Sequence, residues 1–228
     1  MRTSYEIAQN YESNYWNNRK NDPVGIIHDL ESSYAIGAHL QAQGILNFEY
    51  DSFLDVGCGG LGIGNLWLIN AKNKYGLDPL TILIPQANLL LDNFINNIQS
   101  KTTYIKSKAE NMPFDNNFFN IIVCNNVLDH VDQPVQILNE IKRVLKEDGI
   151  FAFGVDIHSY KSFFIKKILK IFKPNYGSLP GHPHEWLESQ MNLLLKQNGF
   201  IIKSYIPRST LGKIFGQIRR TTWILSIL

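Results

Sequence analysis

The chain has 228 residues and a formal net charge of +2, a length that suits one domain with a substantial buried core. Its two cysteines are too few for a disulfide framework or a cysteine-rich metal site, which excludes small stapled domains. No apolar run approaches the ~20 residues of a membrane span, and the N-terminus is polar. The sequence therefore predicts a cytoplasmic protein without a signal peptide.

The charges are distributed unevenly along the chain. Residues 1–160 carry 11 basic and 18 acidic side chains, whereas residues 161–228 carry 11 and 2. This asymmetry indicates an anionic partner on the C-terminal side, such as a membrane surface, a nucleic acid or a phosphorylated substrate. A solvated basic face explains the same counts equally well.

Residues 1–48 have the pattern of one or two helices lying against the front of the core, with a breaker at residues 21–23. Tyr11, Tyr15 and Trp16 occur in the first of them. This spacing is typical of an ordinary packing stripe, which we favour, although the same side chains could form an aromatic lid over a ligand.

A glycine-rich turn follows the first predicted strand. The apolar run that ends at Val56 predicts a buried strand, and five glycines occur within residues 57–64. Glycine permits a positive φ and lets the backbone approach a ligand without an intervening Cβ. A helical pattern begins at Leu66, so we expect a helix whose free amides face a nucleotide held by the turn.

A second short strand, residues 74–78, ends in Asp78. This aspartate lies 21 residues after Gly57 and 19 after Gly59. A carboxylate at that distance is placed to accept hydrogen bonds from the two hydroxyls of a ribose, the role we favour. Capping of a following helix is compatible with that role. Residues 80–98 have a helical pattern that Pro85 should break or restart.

The rest of the chain alternates strands and helices. Strands are predicted at 104–105, 118–124, 150–155, 200–206 and 223–228, and helices at 134–146, 161–173 and 185–198. This alternation predicts an α/β fold with a doubly wound, mostly parallel seven-stranded sheet whose last strand is antiparallel. Ligands bind at the carboxyl ends of the strands in such sheets. Five residues fall there: Gly57, Asp78, Ala109, Asn125 and Asp156.

Six segments in order carry a family resemblance: residues 55–59, 75–78, 109–114, 118–124, 127–131 and 140–149. Together they resemble the class I S-adenosylmethionine-dependent methyltransferases, most of all the small-molecule branch that includes quinone-biosynthesis enzymes. The likeness covers about residues 50–157. It implies a Rossmann-like fold, S-adenosylmethionine as the cofactor, and methyl transfer to oxygen or nitrogen of a small or lipid-like acceptor.

The resemblance also implies roles for residues at matching positions. Asp55, Gly57 and Gly59 would hold the methionine and ribose end of the cofactor, and Asp78 the ribose hydroxyls. Asn125, with its neighbour at the tip of the fourth strand, would face the sulfonium and the acceptor.

Two positions depart from the family pattern. Lys108 stands where the family often has an acid, so the adenine contact is expected from Ala109 with its neighbouring backbone amides or from Glu110. The third glycine is displaced to Gly62. Gly57, Gly59 and Gly62 formally fit the G-x-G-x-x-G turn of nicotinamide enzymes. Asp55 would repel a pyrophosphate, however, and the later motifs favour the methyltransferase.

A hydroxyl acceptor would also need a general base, and histidine is the usual one at neutral pH. The candidates are His130 after the fourth strand, His158 after the fifth, and His182 and His184 in the next segment. No third ligand accompanies the last two, so no metal is expected.

The segment 161–173 is predicted to be a basic amphipathic helix. Lysines 166, 170 and 173 share one face, and Phe164, Ile168 and Ile171 share another. Such a helix could cap the acceptor site and rest on an anionic membrane. Docking of its apolar face on the chain's own domain is the favoured alternative.

We therefore expect one domain. Residues 1–48 would form the N-terminal helices, 49–157 the cofactor-binding core, 158–198 an acceptor-side cap, and 199–228 the last strands. Two other functions remain open: a non-catalytic S-adenosylmethionine-binding protein, and an RNA methyltransferase, which the scarcity of arginine disfavours.

Overall fold

Three α-helices precede the first strand in the computed structural model, which describes residues 4–173, 183–207 and 209–227. They are α1 (Ser4–Arg19), α2 (Pro23–Ser32) and α3 (Tyr34–Ala42), followed by a 3-10 helix, Ile45–Asn47. Asp22 accepts a hydrogen bond from the Gly25 amide, and Pro23 occupies the first turn of α2. The breaker predicted at residues 21–23 therefore ends one helix and caps the next.

Seven strands form one sheet. They are β1 (Tyr50–Val56), β2 (Ala71–Asp78), β3 (Thr102–Lys106), β4 (Phe119–Asn125), β5 (Leu145–Ile157), β6 (Phe200–Tyr205) and β7 (Arg219–Ile227). The strand order is β3-β2-β1-β4-β5-β7-β6. Strands β1 to β5 pair in parallel, whereas β7 is antiparallel to both β5 and β6. The predicted α/β fold with an antiparallel last strand is confirmed.

Both faces of the sheet are covered, because alternate strand residues enter two separate cores. Leu54 and Ile122 belong to one hydrophobic cluster, and their neighbours Phe53 and Ile121 belong to the other. Among the described residues, five helices lie between consecutive strands: α4 (Leu89–Gln99), α5 (Pro134–Val144), α6 (Tyr160–Phe172), α7 (Glu188–Gln197) and α8 (Thr210–Phe215). In the part of the chain that the structure describes, no helix is long and apolar enough to cross a membrane.

The helix expected from Leu66 is wrong: residues 57–70 form successive turns instead. Only six residues separate Gly64 from β2, and Asn65 is held by hydrogen bonds to the Asp55 carboxylate. Leu66 and Ile69 are buried as anchors of this loop. Their spacing therefore reflects loop packing rather than helical periodicity, and no helix lies between the glycine turn and β2.

Other predicted boundaries shift as well, the largest extension being that of β5, and two of the shifts have a local cause. Helix α4 begins only at Leu89, after Pro85, where Asn88 caps it through the Leu91 amide. Strand β7 begins at Arg219, four residues before its predicted start, because it continues to pair with the long β5. Leu228, predicted as its last residue, lies outside the described residues.

Candidate functional site

A cavity of about 340 Å³ lies where β1, β2 and β4 end at their carboxyl edge. Its volume is in the range of small-molecule sites. Six of the residues predicted to bind the cofactor line this cavity: Gly57, Gly59, Asp78, Ala109, Glu110 and Asn125. The fold therefore brings together side chains and turns that are far apart in the sequence.

The glycine turn is shaped by three glycines with positive φ: Gly57 (74°), Gly59 (76°) and Gly62 (59°). A Cβ on Gly57 would lie 2.3 Å from Cγ2 of Val127, and one on Gly62 would lie 2.5 Å from the Tyr104 ring. The Tyr104 hydroxyl also donates a hydrogen bond of 2.6 Å to the Gly62 carbonyl. Both backbone conformation and close packing thus require glycine at the displaced third position.

Asp78 is held against this turn. Its Oδ2 accepts a hydrogen bond from the Gly59 amide and its Oδ1 one from the Leu80 amide, both at 2.9 Å. Burial, with a smaller contribution from the nearby Glu12 carboxylate, raises the pKa of Asp78 to about 6, against the effect of these two hydrogen bonds. Each carboxylate oxygen can accept a second hydrogen bond, so Asp78 can still receive two hydroxyls.

Asp55 does not line the cavity. Its carboxylate is fully buried beneath the turn, where it accepts hydrogen bonds from the backbone amide of Asn65 (2.6 Å) and from Asn65 Nδ2 (2.9 Å). Burial raises the pKa of Asp55 to about 7, although both hydrogen bonds favour the ionised form. Asn65 lines the cavity, so Asp55 lies one layer behind the surface on which we expected it.

Helix α1 supplies one wall of the cavity. Tyr11, Tyr15 and Trp16 all line it, and Trp16 packs so closely on the turn that a Cβ on Gly59 would lie 2.4 Å from its ring. Glu12, from the same helix, also lines the cavity, a residue that the sequence patterns did not single out. None of the described residues in 158–198, the predicted acceptor-side cap, is among the lining residues.

Arg220 joins the ends of β4 and β5. Its Nε donates to Asp156 Oδ1 (2.8 Å), its Nη1 to Asn125 Oδ1 (3.2 Å) and its Nη2 to Asn126 Oδ1 (2.7 Å). The antiparallel register places Arg220 directly opposite Asp156. Arg220 lies between the predicted strands 200–206 and 223–228, and its place at the site follows only from the pairing of β7 with β5.

The structure separates the candidate histidines. His130 lines the large cavity, where its Nδ1 lies 3.5 Å from Glu12 Oε1 and its Nε2 lies 3.3 Å from Asn126 Nδ2. His158 lies instead in a second cavity of about 130 Å³, and burial lowers its pKa. His158 was expected in the acceptor pocket, but it does not line the large cavity.

His184 is not among the residues that line the large cavity. His184 stacks on Trp186, and its Nε2 lies 2.8 Å from the Val131 carbonyl oxygen, which can only accept. His182 lies outside the described residues. Among the residues that the structure describes, no group of three or more His, Cys, Asp or Glu side chains is placed to hold a metal ion.

The charges around the cavity suit a cationic ligand. Four carboxylate side chains line it together with one lysine: Glu12, Asp29, Asp78 and Glu110, with Lys108. Asp29 is already paired with Arg19 at 2.8 Å, so the acidic character comes mainly from the other three. S-adenosylmethionine carries a sulfonium, an ammonium and a carboxylate group and is positive overall, so the residues present fit it. A pyrophosphate would meet this acidic lining at a cost.

Comparisons with known proteins agree with the geometry. A family model described as a methyltransferase domain matches residues 54–153. A ubiquinone biosynthesis O-methyltransferase of Actinobacillus pleuropneumoniae is 24% identical over 165 residues, which are 72% of this chain and 68% of that protein. The mitochondrial ubiquinone biosynthesis O-methyltransferase of Dictyostelium discoideum is 29% identical over 163 residues, 65% of this chain and 46% of that protein.

A solved structure shows the same fold over the whole chain. The 1,6-didemethyltoxoflavin-N1-methyltransferase of Burkholderia thailandensis superposes with a TM-score of 0.64, is 15% identical, and covers 100% of this chain and 91% of its own. Fold, cavity and sequence likeness agree: the chain carries a methyltransferase domain over residues 54–153, has the fold of the S-adenosylmethionine-dependent methyltransferases, and is similar to the ubiquinone-biosynthesis O-methyltransferases.

Proposed function

We propose that the protein transfers a methyl group from S-adenosylmethionine to an oxygen or nitrogen atom of a small or lipid-like acceptor. The observation that carries this proposal is the acidic cavity at the carboxyl ends of the strands, which contains both Asp78 and His130. The O-methyltransferase relatives and the N1-methyltransferase neighbour support both choices of acceptor atom. Their own substrates differ, so the acceptor itself has to be found by experiment.

Each wall of the cavity would hold one part of the cofactor, which supplies an electrophilic methyl group when bound. Gly57 and Gly59 would admit the ribose and methionine to the backbone, and Asp78 would accept the ribose hydroxyls. Ala109 and Glu110 would lie along the adenine. Asp55 would act indirectly, by holding the cavity-lining Asn65.

We propose His130 as the general base for a hydroxyl acceptor. It is the one candidate histidine of the described residues that lines the large cavity, and the Glu12 carboxylate is 3.5 Å from its Nδ1. A carboxylate at that position would stabilise the positive charge that the ring gains with the proton. Such a base typically contributes ~10²- to 10⁴-fold in rate. His158 and His184 are less favoured because neither lines this cavity.

The proposal is tested by incubating the protein with methyl-labelled S-adenosylmethionine and a cell extract separated into lipid, small-molecule and RNA fractions. We expect label in the lipid or small-molecule fraction and matching release of S-adenosylhomocysteine. Label in the RNA fraction would identify the RNA methyltransferase instead. Tight binding of the cofactor without labelling of any fraction would identify a non-catalytic binding protein.

We further propose that α6 rests on an anionic membrane surface. None of its residues is buried, and its apolar side chains face outward: Ile168 is 55% exposed, Ile171 75% and Phe172 78%. Lys166 and Lys170 turn the other way and pair with Glu185, at 3.4 and 3.2 Å. The exposed apolar face and the basic excess of residues 161–228 suit a bilayer with anionic lipids, which would also present a lipid-like acceptor.

A further inference from the structure

We propose that Arg220 is a positioning residue: it fixes the side-chain amide of Asn126 and thereby holds neutral His130 with its hydrogen on Nδ1. Its consequence for catalysis rests on the proposed function, in which His130 is the base. The hydrogen-bond chain itself can be followed from one atom to the next.

Arg220, the first residue in this series of hydrogen bonds, is held rigidly. The side chain is 19% exposed and its guanidinium forms two contacts with Asp156, Nε to Oδ1 at 2.8 Å and Nη2 to Oδ2 at 3.3 Å. The backbone pairing of β5 with β7 places these two residues opposite each other. A planar fork bound at two points has little freedom to rotate, so its remaining N–H groups have set directions.

The orientation of the Asn126 side-chain amide follows from the directions of the Arg220 N–H groups. A guanidinium has five donors and no acceptor, so the amide atom that faces it must be the oxygen. That oxygen lies 2.7 Å from Nη2 of Arg220. The backbone of Asn126 is also fixed, with a positive φ of 62° and its amide bonded to the Gly154 carbonyl. Only a rotation of the side-chain amide could reverse the arrangement.

The amide then determines which ring nitrogen of His130 carries hydrogen. Nδ2 of Asn126 can only donate, and it lies 3.3 Å from His130 Nε2. This contact favours a neutral His130 that accepts at Nε2 and carries its hydrogen on Nδ1, which lies at an ionic distance of 3.5 Å from Glu12 Oε1 without a hydrogen bond to it. Nε2 then holds the lone pair of the ring, and an acceptor hydroxyl that transfers its proton there has to displace the Asn126 N–H from it.

A competing group makes the role of Arg220 measurable. The Asp129 carboxylate lies 3.6 Å from His130 Nε2 and would favour a hydrogen on that nitrogen. Once the guanidinium is removed, the Asn126 amide can rotate and present its oxygen to Nε2 as well. Both groups would then favour the Nε2–H tautomer, whose Nε2 cannot accept a proton.

The test is long-range ¹H–¹⁵N correlation of histidine-labelled protein, at a pH where the same spectra show a neutral ring. His130 is assigned from the signal lost in His130→Gln. We expect the Nδ1–H tautomer in the wild type and predominantly the Nε2–H tautomer in Arg220→Met, which removes every donor that faces Asn126. Asn126→Asp, which keeps an oxygen toward Arg220 and presents another to His130, should also give Nε2–H. The exposed neighbour variant Arg219→Met is the matched control and should keep the wild-type spectrum.

An Nε2–H ring in the wild type, or an unchanged ring in both Arg220→Met and Asn126→Asp, would overturn the inference. If Arg220→Met does not fold, Asn126→Asp decides alone. Once an acceptor is known, Arg220→Met should lower kcat at least tenfold with little change in KM for the cofactor. The wild-type tautomer together with full activity of His130→Gln would refute the proposed base and leave the assignment of Arg220 intact.

Discussion

At the scale of one residue, the burial of Asp78 should make cofactor binding depend on pH. Because the pKa of Asp78 is raised to about 6, part of the population is protonated in mildly acidic solution. A protonated carboxyl accepts hydroxyl hydrogens less well, so affinity for S-adenosylmethionine should fall as the pH drops through 6. The limit is about tenfold per pH unit for a single group. Isothermal titration calorimetry between pH 5.5 and 8 measures it.

Asp78→Asn is the control for that titration. It should weaken binding by about 1.5–3 kcal/mol, the usual worth of hydrogen bonds to a charged group, and remove the pH dependence. Equal pH profiles in the two proteins would assign the titration to another group.

Gly57 should be intolerant of any side chain. Alanine there combines a positive φ of 74° with a Cβ placed 2.3 Å from Val127. Gly44 is a matched control, because its φ is 72° but its nearest neighbour would be 3.7 Å away. Gly44→Ala should cost about 1–2 kcal/mol from backbone strain, and Gly57→Ala more. Urea unfolding measures both, and equal losses would contradict the packing argument.

The residues of the site were only partly predictable. Asp78 and the glycines of the turn belong to a local pattern, whose spacing is visible in the sequence. Glu12 and Arg220 come from α1 and β7, and nothing near them in the sequence marks their approach to the cavity. The true neighbour of Asp55, Asn65, was hidden because a helix was expected where the chain turns.

At the scale of the element, we predict that the exposed apolar face of α6 binds vesicles. Ile168→Glu with Ile171→Glu should abolish flotation with vesicles that contain phosphatidylglycerol, because both charges enter the exposed apolar face. Leu89→Glu with Leu90→Glu, on the similarly exposed start of α4, should leave flotation unchanged. Absence of wild-type binding at low salt would refute the membrane contact.

Elements with a continuous apolar stripe were predicted well. Helix α5 buries Ile137, Leu138, Ile141 and Val144 on one side, which gives the clear period that its sequence shows. The segment after the glycine turn contains only Leu66 and Ile69 as buried anchors before β2 begins. Two anchors fit a helix and a loop equally well, so local pattern alone could not separate them.

At the scale of the whole molecule, we expect S-adenosylmethionine to stabilise the folded protein and NAD to have little effect. S-adenosylmethionine at a hundred times its Kd should add about 2.7 kcal/mol, which corresponds to a rise in Tm of roughly 5–10 °C for a chain of this size. S-adenosylhomocysteine should act similarly. NAD should have little effect, because its pyrophosphate meets the acidic lining. A thermal shift assay compares the three, and a larger shift with NAD would contradict the cofactor assignment.

The position of β7 between β5 and β6 affects the order in which the strands can pair during synthesis. Both neighbours precede β7 along the chain, so a growing polypeptide on the ribosome exposes β6 before its partner strand exists. Strands β1 to β5 can pair earlier, and the glycine turn and Asp78 with them. Arg220 is synthesised after all of these residues, so a nascent chain would form the glycine turn and place Asp78 before the Asn126 amide is fixed.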